Sequence, residues 1–300
     1  MKRIIPLATF VFLIISCHTP NQKTDLLRNK IKQIVSDKNA VVGVSIIGND
    51  GKDTISYNGD KRFPLQSVFK YHIALKVLSQ IDEGKFSLEQ KVEIQKKELL
   101  PDLWSPLREE NPDGGSFSIS KLIDYTVSLS DNVGCDVLLR LIGGPGTVED
   151  YFKENNIKDI SIKLNEETQQ ANWDLMFQNW ITPKAANETL TKFYLKKENL
   201  LSETSYNFIW NVMKATETGK RRIKGQLPDG TIVAHKTGSS GTNNGITEAV
   251  NDIGIVFLPD GKYFFISVFI TNSKEDEATN EKIIADIAKA TWDYYSNPEN

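Results

Sequence analysis

Phe63-Pro64-Leu65-Gln66-Ser67-Val68-Phe69-Lys70 is the stretch on which the reading of this chain turns. The residues that follow, Tyr71, Ile73, Ala74, Leu75, Val77 and Leu78, make the segment apolar almost all round, which predicts a buried helix. Positions three apart on a helix share a face, so this spacing carries the Lys70 amine to the Ser67 hydroxyl. An unaided serine is a poor nucleophile at neutral pH and needs an adjacent base or proton relay. Lysine can serve when burial and nearby charge lower its pKa. A serine opening a buried helix also lies beside the positive end of the helix dipole, which favours a developing oxyanion. The plain alternative is Ser67 as a helix N-cap with Lys70 in solvent.

Two later triads, Ser130-Asp131-Asn132 and Lys236-Thr237-Gly238, decide between these readings. Each would arise by chance in a chain of this length at a rate on the order of several per cent, and finding both in order points to a serine acyl-transfer enzyme. The spacing Ser-x-x-Lys also occurs at Ser118-Ile119-Ser120-Lys121. That copy follows Pro112-Asp113-Gly114-Gly115 and opens an apolar run, so Ser118 or Ser120 reads as a helix N-cap.

Working outward, the chain shows strands at both ends and helices between. Leu26 to about Lys38 reads as a helix and Val41–Ile47 as a strand, turned at Gly48-Asn49-Asp50-Gly51 into a second strand near Thr54–Tyr57. Helices are expected from about Ser120 to Ser128, Asn132 to Leu141, Gly146 to Asn155, Lys184 to about Lys196 and Ser202 to Lys214. Strands return at Ile232–Lys236, Ile253–Phe257 and Tyr263–Ile270, the last two joined by the hairpin turn Pro259-Asp260-Gly261. Ala278 to about Tyr295 closes the chain as an amphipathic helix. The fold class is therefore α/β (α+β): an antiparallel sheet flanked by N- and C-terminal helices, with an all-α subdomain inserted. The α/β part covers 26–62 and 216–300, the all-α part 63–215, and the cleft between them is where a ligand belongs.

Three hundred residues, 39% hydrophobic and 25% charged, supply a substantial core, and a net charge of −3 argues against a nucleic-acid partner. Met1-Lys2-Arg3 and the apolar run Ile4–Ser16 form a signal segment too short to span a bilayer comfortably. It ends Ile14-Ile15-Ser16-Cys17, which resembles a bacterial lipoprotein signal over 1–17; the resemblance implies cleavage that leaves Cys17 as the lipid-bearing first residue, a polar tether over 18–25 and a periplasmic, membrane-anchored monomer. Cys135 sits among Val133, Val137, Leu138 and Leu139 and reads as a buried, inert thiol. His18, His72 and His235 show no metal-ligand spacing, so neither metal nor other cofactor is expected.

The residues from Leu26 onward resemble the class A serine β-lactamases, whose three motifs are those above, and Phe63–Lys70 looks most like the cephalosporinase and extended-spectrum branch. The resemblance implies hydrolysis of the β-lactam amide, cephalosporins included, through a seryl acyl-enzyme, and hence antibiotic resistance. Ser67 would attack the carbonyl, and Lys70 or Glu166 acting through a water would accept its proton. The N–H groups of Ser67 and Ser239 would form the oxyanion hole, worth about 3 kcal/mol per donor. Ser130 would pass a proton to the lactam nitrogen, Asn132 would bond the side-chain amide, and Lys236, Thr237 and Arg222 would hold the carboxylate. Glu166, on an Ω-shaped loop, would activate the deacylating water, and Trp104 would wall the cleft.

Two departures from the family pattern stand out. The arginine two residues before the loop glutamate is Leu164 and its usual aspartate partner is Asn179, so packing and amide hydrogen bonds must close the loop neck. The asparagine four residues after the glutamate is Gln170. Glu167 adjoins Glu166, but the spacing to Thr182-Pro183 favours Glu166. The rival readings are a penicillin-interacting D,D-peptidase or transpeptidase, a glutaminase on a related fold, and a sensor domain that stays acylated.

Overall fold

The structure is a computed structural model and describes residues 22–296; the signal segment and Cys17 lie outside those residues. The chain opens with helix α1 (Gln22–Val35), followed by strands β1 (Val41–Gly48) and β2 (Asp53–Tyr57). It then crosses into a helical region: α2 (Phe69–Asp82), α3 (Ile119–Ser128), α4 (Asn132–Leu141), α5 (Pro145–Glu154), α6 (Glu166–Ala171), α7 (Pro183–Tyr194) and α8 (Glu203–Lys214). Strands β3 (Val233–Ser239), β4 (Val250–Phe257) and β5 (Tyr263–Thr271) and helix α9 (Glu277–Ser296) complete it.

The five strands form one antiparallel sheet in the order β2-β1-β5-β4-β3. Strand β1 pairs with β5 from Val41 against Thr271 to Ile47 against Phe265, so the N-terminal hairpin is completed by the last strand. Alternation of side chains sends Val42, Val44, Ile46, Ile266 and Val268 to one face, where they are buried with Ile31 of α1 and Ile283, Ile284 and Ile287 of α9. The opposite face contributes Phe265, Phe269, Ile253 and Ile255 to a second core shared with the helical region. Helix α7 lies on that face, and its buried Asn187 is stitched to the sheet by bonds with Ser45 (3.2 Å) and Ser267 (2.7 Å).

The expected elements differ from the observed ones mainly at their ends. Helix α1 starts at Gln22, inside the stretch read as a tether, with Asp25 and Arg28 paired at 2.8 Å across its first turns. Strand β3 runs three residues past Lys236 through the whole Lys-Thr-Gly triad to Ser239, because β4 begins at Val250, which pairs with Ser239. The two-stranded ribbon of Lys91–Gln95 and Gly114–Ser118 is not among the expected elements: Lys91–Gln95 alternates polar and apolar residues, but its partner opens on two glycines that read as a turn. Ser118 caps α3 as expected, its hydroxyl accepting from Lys121 N at 3.3 Å.

Candidate active site

Ser67 does not cap a helix. It lies in a single 3₁₀ turn, Gln66–Val68, that feeds α2, with Gln66 held at φ +45°. Backbone in that region costs roughly 1–3 kcal/mol for a non-glycine residue and persists only where neighbours enforce it. They do so here: Leu65 N–H donates to Asn179 O (2.9 Å), and Asn251 Nδ2 donates to the carbonyls of Pro64 (2.8 Å) and Leu65 (3.2 Å). Strand β3 comes against this turn at Gly238, where a Cβ would lie 2.7 Å from Leu65 O, so only glycine permits the approach.

One turn into α2, the fully buried Lys70 is the centre of the constellation. Its Nζ donates to Ser67 Oγ (2.9 Å), to the Ser130 carbonyl (2.8 Å) and to Asn132 Oδ1, and lies 2.8 Å from Glu166 Oε1. An ammonium has three hydrogens, and the first three partners use them. Glu166 Oε1, which has no hydrogen-bond partner, is thus left as a charge contact. The second lysine, Lys236, is equally buried and donates to Ser130 Oγ and Thr237 O, both at 2.9 Å. Burial pushes the Lys236 ammonium well below its ordinary pKa, and the Lys70 charge adds to this; Glu166 and Asp252 oppose the shift. Ser130 therefore stands between two lysines, its carbonyl serving one and its hydroxyl the other.

Ser130 adopts φ +61°, another left-handed position. Asp131 holds it there: its buried carboxylate caps α4 through Gly134 N (2.7 Å) and accepts from Ser105 Oγ and Leu107 N, both at 2.8 Å. The middle residue of the Ser-Asp-Asn triad is thus an anchor rather than a chemical group. Asn132 is tied from behind by its own N–H to Trp104 O (2.9 Å).

Glu166 is the first residue of α6, whose N-cap Asn165 accepts from Thr168 N at 3.2 Å. Its height over Lys70 is set by Asp136 of α4, a residue the sequence reading missed. The Asp136 carboxylate accepts from Asn165 Nδ2 (3.0 Å), Glu166 N (2.8 Å) and Glu167 N (2.9 Å). Burial pushes Asp136 up to about 6, against the pull of the Glu167 and Glu166 N–H groups. Its signal in the sequence is position: it lies four residues after Asn132, on the same face of α4. The loop neck is closed by Asn179 alone, fully buried, whose Oδ1 accepts from Lys163 N (2.8 Å) and Leu164 N (3.0 Å) while Nδ2 donates to Leu164 O (2.8 Å). One amide thus spans the neck through three hydrogen bonds.

These groups open onto a cleft of about 650 Å³ that Ser67, Ser130, Glu166, Gln170, Thr237 and Ser239 help to line. Trp104 is 58% exposed on its wall, its ring N–H bonded to Leu129 O at 3.2 Å. Gln170 reaches the cleft from the exposed side of α6. Arg222, expected as a further positive charge, borders the cleft. It is buried, with Nη1 donating to Gly238 O (3.0 Å) and Asn251 O (2.9 Å) and Nη2 to Ser239 Oγ (2.7 Å). Among the described residues no group of three or more His, Cys, Asp or Glu side chains has a metal-binding arrangement. Cys135 is buried, and burial pushes its thiol well above the ordinary range.

Comparison with known proteins follows the same lines. The family described as "Beta-lactamase enzyme family" matches residues 26–295. β-Lactamase VEB-1 of Pseudomonas aeruginosa is 51% identical over 297 residues, covering 99% of this chain and 99% of that protein. The extended-spectrum β-lactamase PER-1 of Pseudomonas aeruginosa is 40% identical over 295 residues, covering 98% of this chain and 95% of its own. A solved β-lactamase from Chitinophaga pinensis superposes with a TM-score of 0.88 at 42% identity, spanning 90% of this chain and all of that one (100%). The TLA-1 extended-spectrum β-lactamase gives a TM-score of 0.89 at 46% identity, spanning 92% and 100%.

Proposed function

The chain belongs to the β-lactamase enzyme family, in its class A serine branch, and from that premise we propose how its own residues carry the reaction. It is a hydrolase that opens the amide bond of β-lactams and so confers antibiotic resistance. The observation that carries the residue assignment is the fourfold setting of Lys70, in contact at once with the nucleophile, the loop carboxylate and both flanking residues of the Ser-Asp-Asn triad.

Glu166, with Oε1 2.8 Å from Lys70 Nζ, takes a proton from the Lys70 ammonium. Neutral Lys70 then turns its lone pair to Ser67, accepts the hydroxyl proton, and Ser67 Oγ bonds the lactam carbonyl carbon. The carbon–nitrogen bond breaks as Ser130, held by Lys236, gives its proton to the nitrogen and is replenished from Lys70. Glu166 returns a proton to Lys70 and is again a carboxylate. It then takes a proton from water as the hydroxide attacks the ester; the Ser67 oxygen leaves as it receives a proton from Lys70, and Glu166 passes its proton to Lys70 and is again a carboxylate. The N–H groups of Ser67 and Ser239 stabilise the oxyanion at both stages, while Asn132, Lys236, Thr237 and Arg222 bind the substrate and Trp104 and Gln170 border it. Cephalosporins are proposed substrates on the likeness to the extended-spectrum relatives.

The deciding experiment separates hydrolysis from trapping. Glu166→Ala is expected to accumulate a stable adduct of protein plus intact penicillin on Ser67, seen by mass spectrometry, while Glu167→Ala keeps near-normal turnover. An adduct in the Glu167 variant instead would move the loop register by one residue, and no adduct in either would overturn the deacylation step.

For location, the n-region Met1–Arg3, the short apolar run and Ile14-Ile15-Ser16-Cys17 support export to the periplasm and a lipid on Cys17 as the membrane tie. The domain itself is proposed to act as a monomer.

A further inference from the structure

His235 is the one residue beside the Lys-Thr-Gly triad that the reaction leaves unused, and its setting is unusual. It alternates with Lys236 on β3, so its side chain leaves the other face of the strand, the face it shares with Thr237 and with Asp252 of β4. Both His235 and its neighbour Asp252 on β4 are fully buried, and His235 Nδ1 lies 2.9 and 3.0 Å from the two Asp252 oxygens. Two carboxylate oxygens at that nitrogen require Nδ1 to carry the hydrogen. His235 Nε2 is buried with no hydrogen-bond partner. A histidine that leaves one nitrogen unsatisfied in the interior costs free energy, so the pair is not explained by simple packing.

Asp252 has a further contact that links it to the site. Its Oδ2 accepts from the N–H of Ile223 at 3.1 Å, the residue next to Arg222. Arg222 is thereby gripped at both ends. Its backbone is set by Asp252, and its guanidinium by Gly238 O, Asn251 O and Ser239 Oγ, with the buried Glu281 carboxylate 3.4 Å from Nε. The turn before it presses on the same strand: Gly219, at φ +66°, stands where a Cβ would come within 2.5 Å of the Thr237 methyl. Four residues in a row, from Lys236 to Ser239, are thus referenced to one buried carboxylate through Arg222 and the β3–β4 register, in which Thr237 faces Asp252.

We propose that the buried His235–Asp252 pair is a positioning unit for recognition of the substrate carboxylate, holding Arg222 and the Lys236–Ser239 strand in place. His235 orients the carboxylate by its Nδ1–H, and Asp252 sets Arg222 by way of Ile223. Asp252 also supplies one of the two negative charges, with Glu166, that favour the ammonium form of Lys236 against its burial and against the charges of Lys70 and Arg222. The pair touches no substrate. Its effect belongs to binding, and the inference rests on the assignment of Lys236, Thr237 and Arg222 to the substrate carboxylate.

The test is steady-state kinetics with a penicillin from pH 6 to 10, alongside thermal melting, for His235→Leu, His235→Asn, Asp252→Asn and Arg222→Ala. Asparagine can place an amide N–H where His235 Nδ1–H stands. His235→Leu and Asp252→Asn are expected to raise KM about tenfold or more with kcat within about threefold, and His235→Asn to restore KM to within about twofold of the parent. In Asp252→Asn the alkaline limb of kcat/KM should also move to lower pH. Lowered melting temperature with unchanged KM and an unmoved alkaline limb would reduce the pair to a fold element and overturn the proposal. So would a His235→Asn variant as defective as His235→Leu, a comparison that stands even if Asp252→Asn fails to fold. Arg222→Ala separates the two levels: if its KM is unchanged, the carboxylate assignment fails, whereas a raised KM there with unchanged KM in the other variants sinks the positioning role alone.

Discussion

At the scale of single residues, the site is built from groups kept in places they would not choose alone: two buried lysines, two left-handed backbones at Gln66 and Ser130, and an acid, Asp136, under the loop. Asp136 shows the conflict between stability and function most directly. Its carboxyl is raised to about 6 by burial, so the folded protein binds this proton more tightly than the unfolded chain does. The sign follows: the group's contribution to stability is best below its ordinary value and is diminished as pH rises through about 6. Yet the anion is the form that can accept from Asn165, Glu166 and Glu167 together. Deacylation is therefore expected to weaken as pH falls through about 6, and in Asp136→Asn that acid limb should move to lower pH with a reduced rate at pH 7. Single-turnover release of a pre-formed acyl-enzyme measures this directly, and an unmoved limb would remove Asp136 from the account. Cys135, by contrast, is expected to be inert: a thiol reagent should modify the folded protein only at the rate of unfolding, and Cys135→Ser should leave kcat unchanged.

At the scale of elements, the cleft depends on how α5 and α6 are held. Glu149 of α5 is buried and ties its helix to the segment 161–163, accepting from Ile162 N (2.9 Å) and Ser161 Oγ (3.2 Å) and pairing with Lys153 and Lys163. Burial works against its charge, but Lys153, Lys163 and the Ile162 N–H outweigh it and hold the carboxyl down at about 2. Glu149→Gln should cost about 2 kcal/mol in chemical denaturation at pH 7. Because the folded value is depressed, the difference from the parent should be full above the ordinary glutamate value and shrink as pH falls toward 2. Elements of this kind were legible where periodicity and caps agree: α4 spans Asn132–Leu141 as expected, and Ser202 caps α8. The triads and the Glu166 spacing were legible as chemistry. What was hidden has a common cause. Thr237, Gly238 and Ser239 continue a strand without apolar residues, the strand opening at Gly114 and Gly115 reads as a turn, and Asp136 or Glu149 on a helix reads as a solvated acid until the neighbouring segment is seen above it.

At the scale of the whole molecule, two cores share one sheet, and the reacting groups come from both sides of it: Ser67, Lys70, Ser130 and Glu166 from the helical region, Lys236 and Ser239 from β3. Among the described residues no helix is long and apolar enough to cross a membrane. Membrane attachment, if it follows the proposed lipid, should then depend on Cys17. Cys17→Ala is expected to move activity from the membrane fraction to the soluble periplasmic fraction or to stall processing, and a parent protein recovered wholly in the soluble fraction would end that proposal.

The pairing of β1 with β5 carries a consequence for how the protein is made. Val41 waits for Thr271, and Ser130 for Lys236, before the sheet or the site can exist. At ribosomal speeds of roughly 5–20 residues per second, the nascent chain spends on the order of tens of seconds with its nucleophile synthesised but its partner strand missing. During that interval there is no closed sheet and no assembled lysine pair to activate Ser67. The order in which the chain is made thus keeps the polypeptide chemically silent until its final strand arrives.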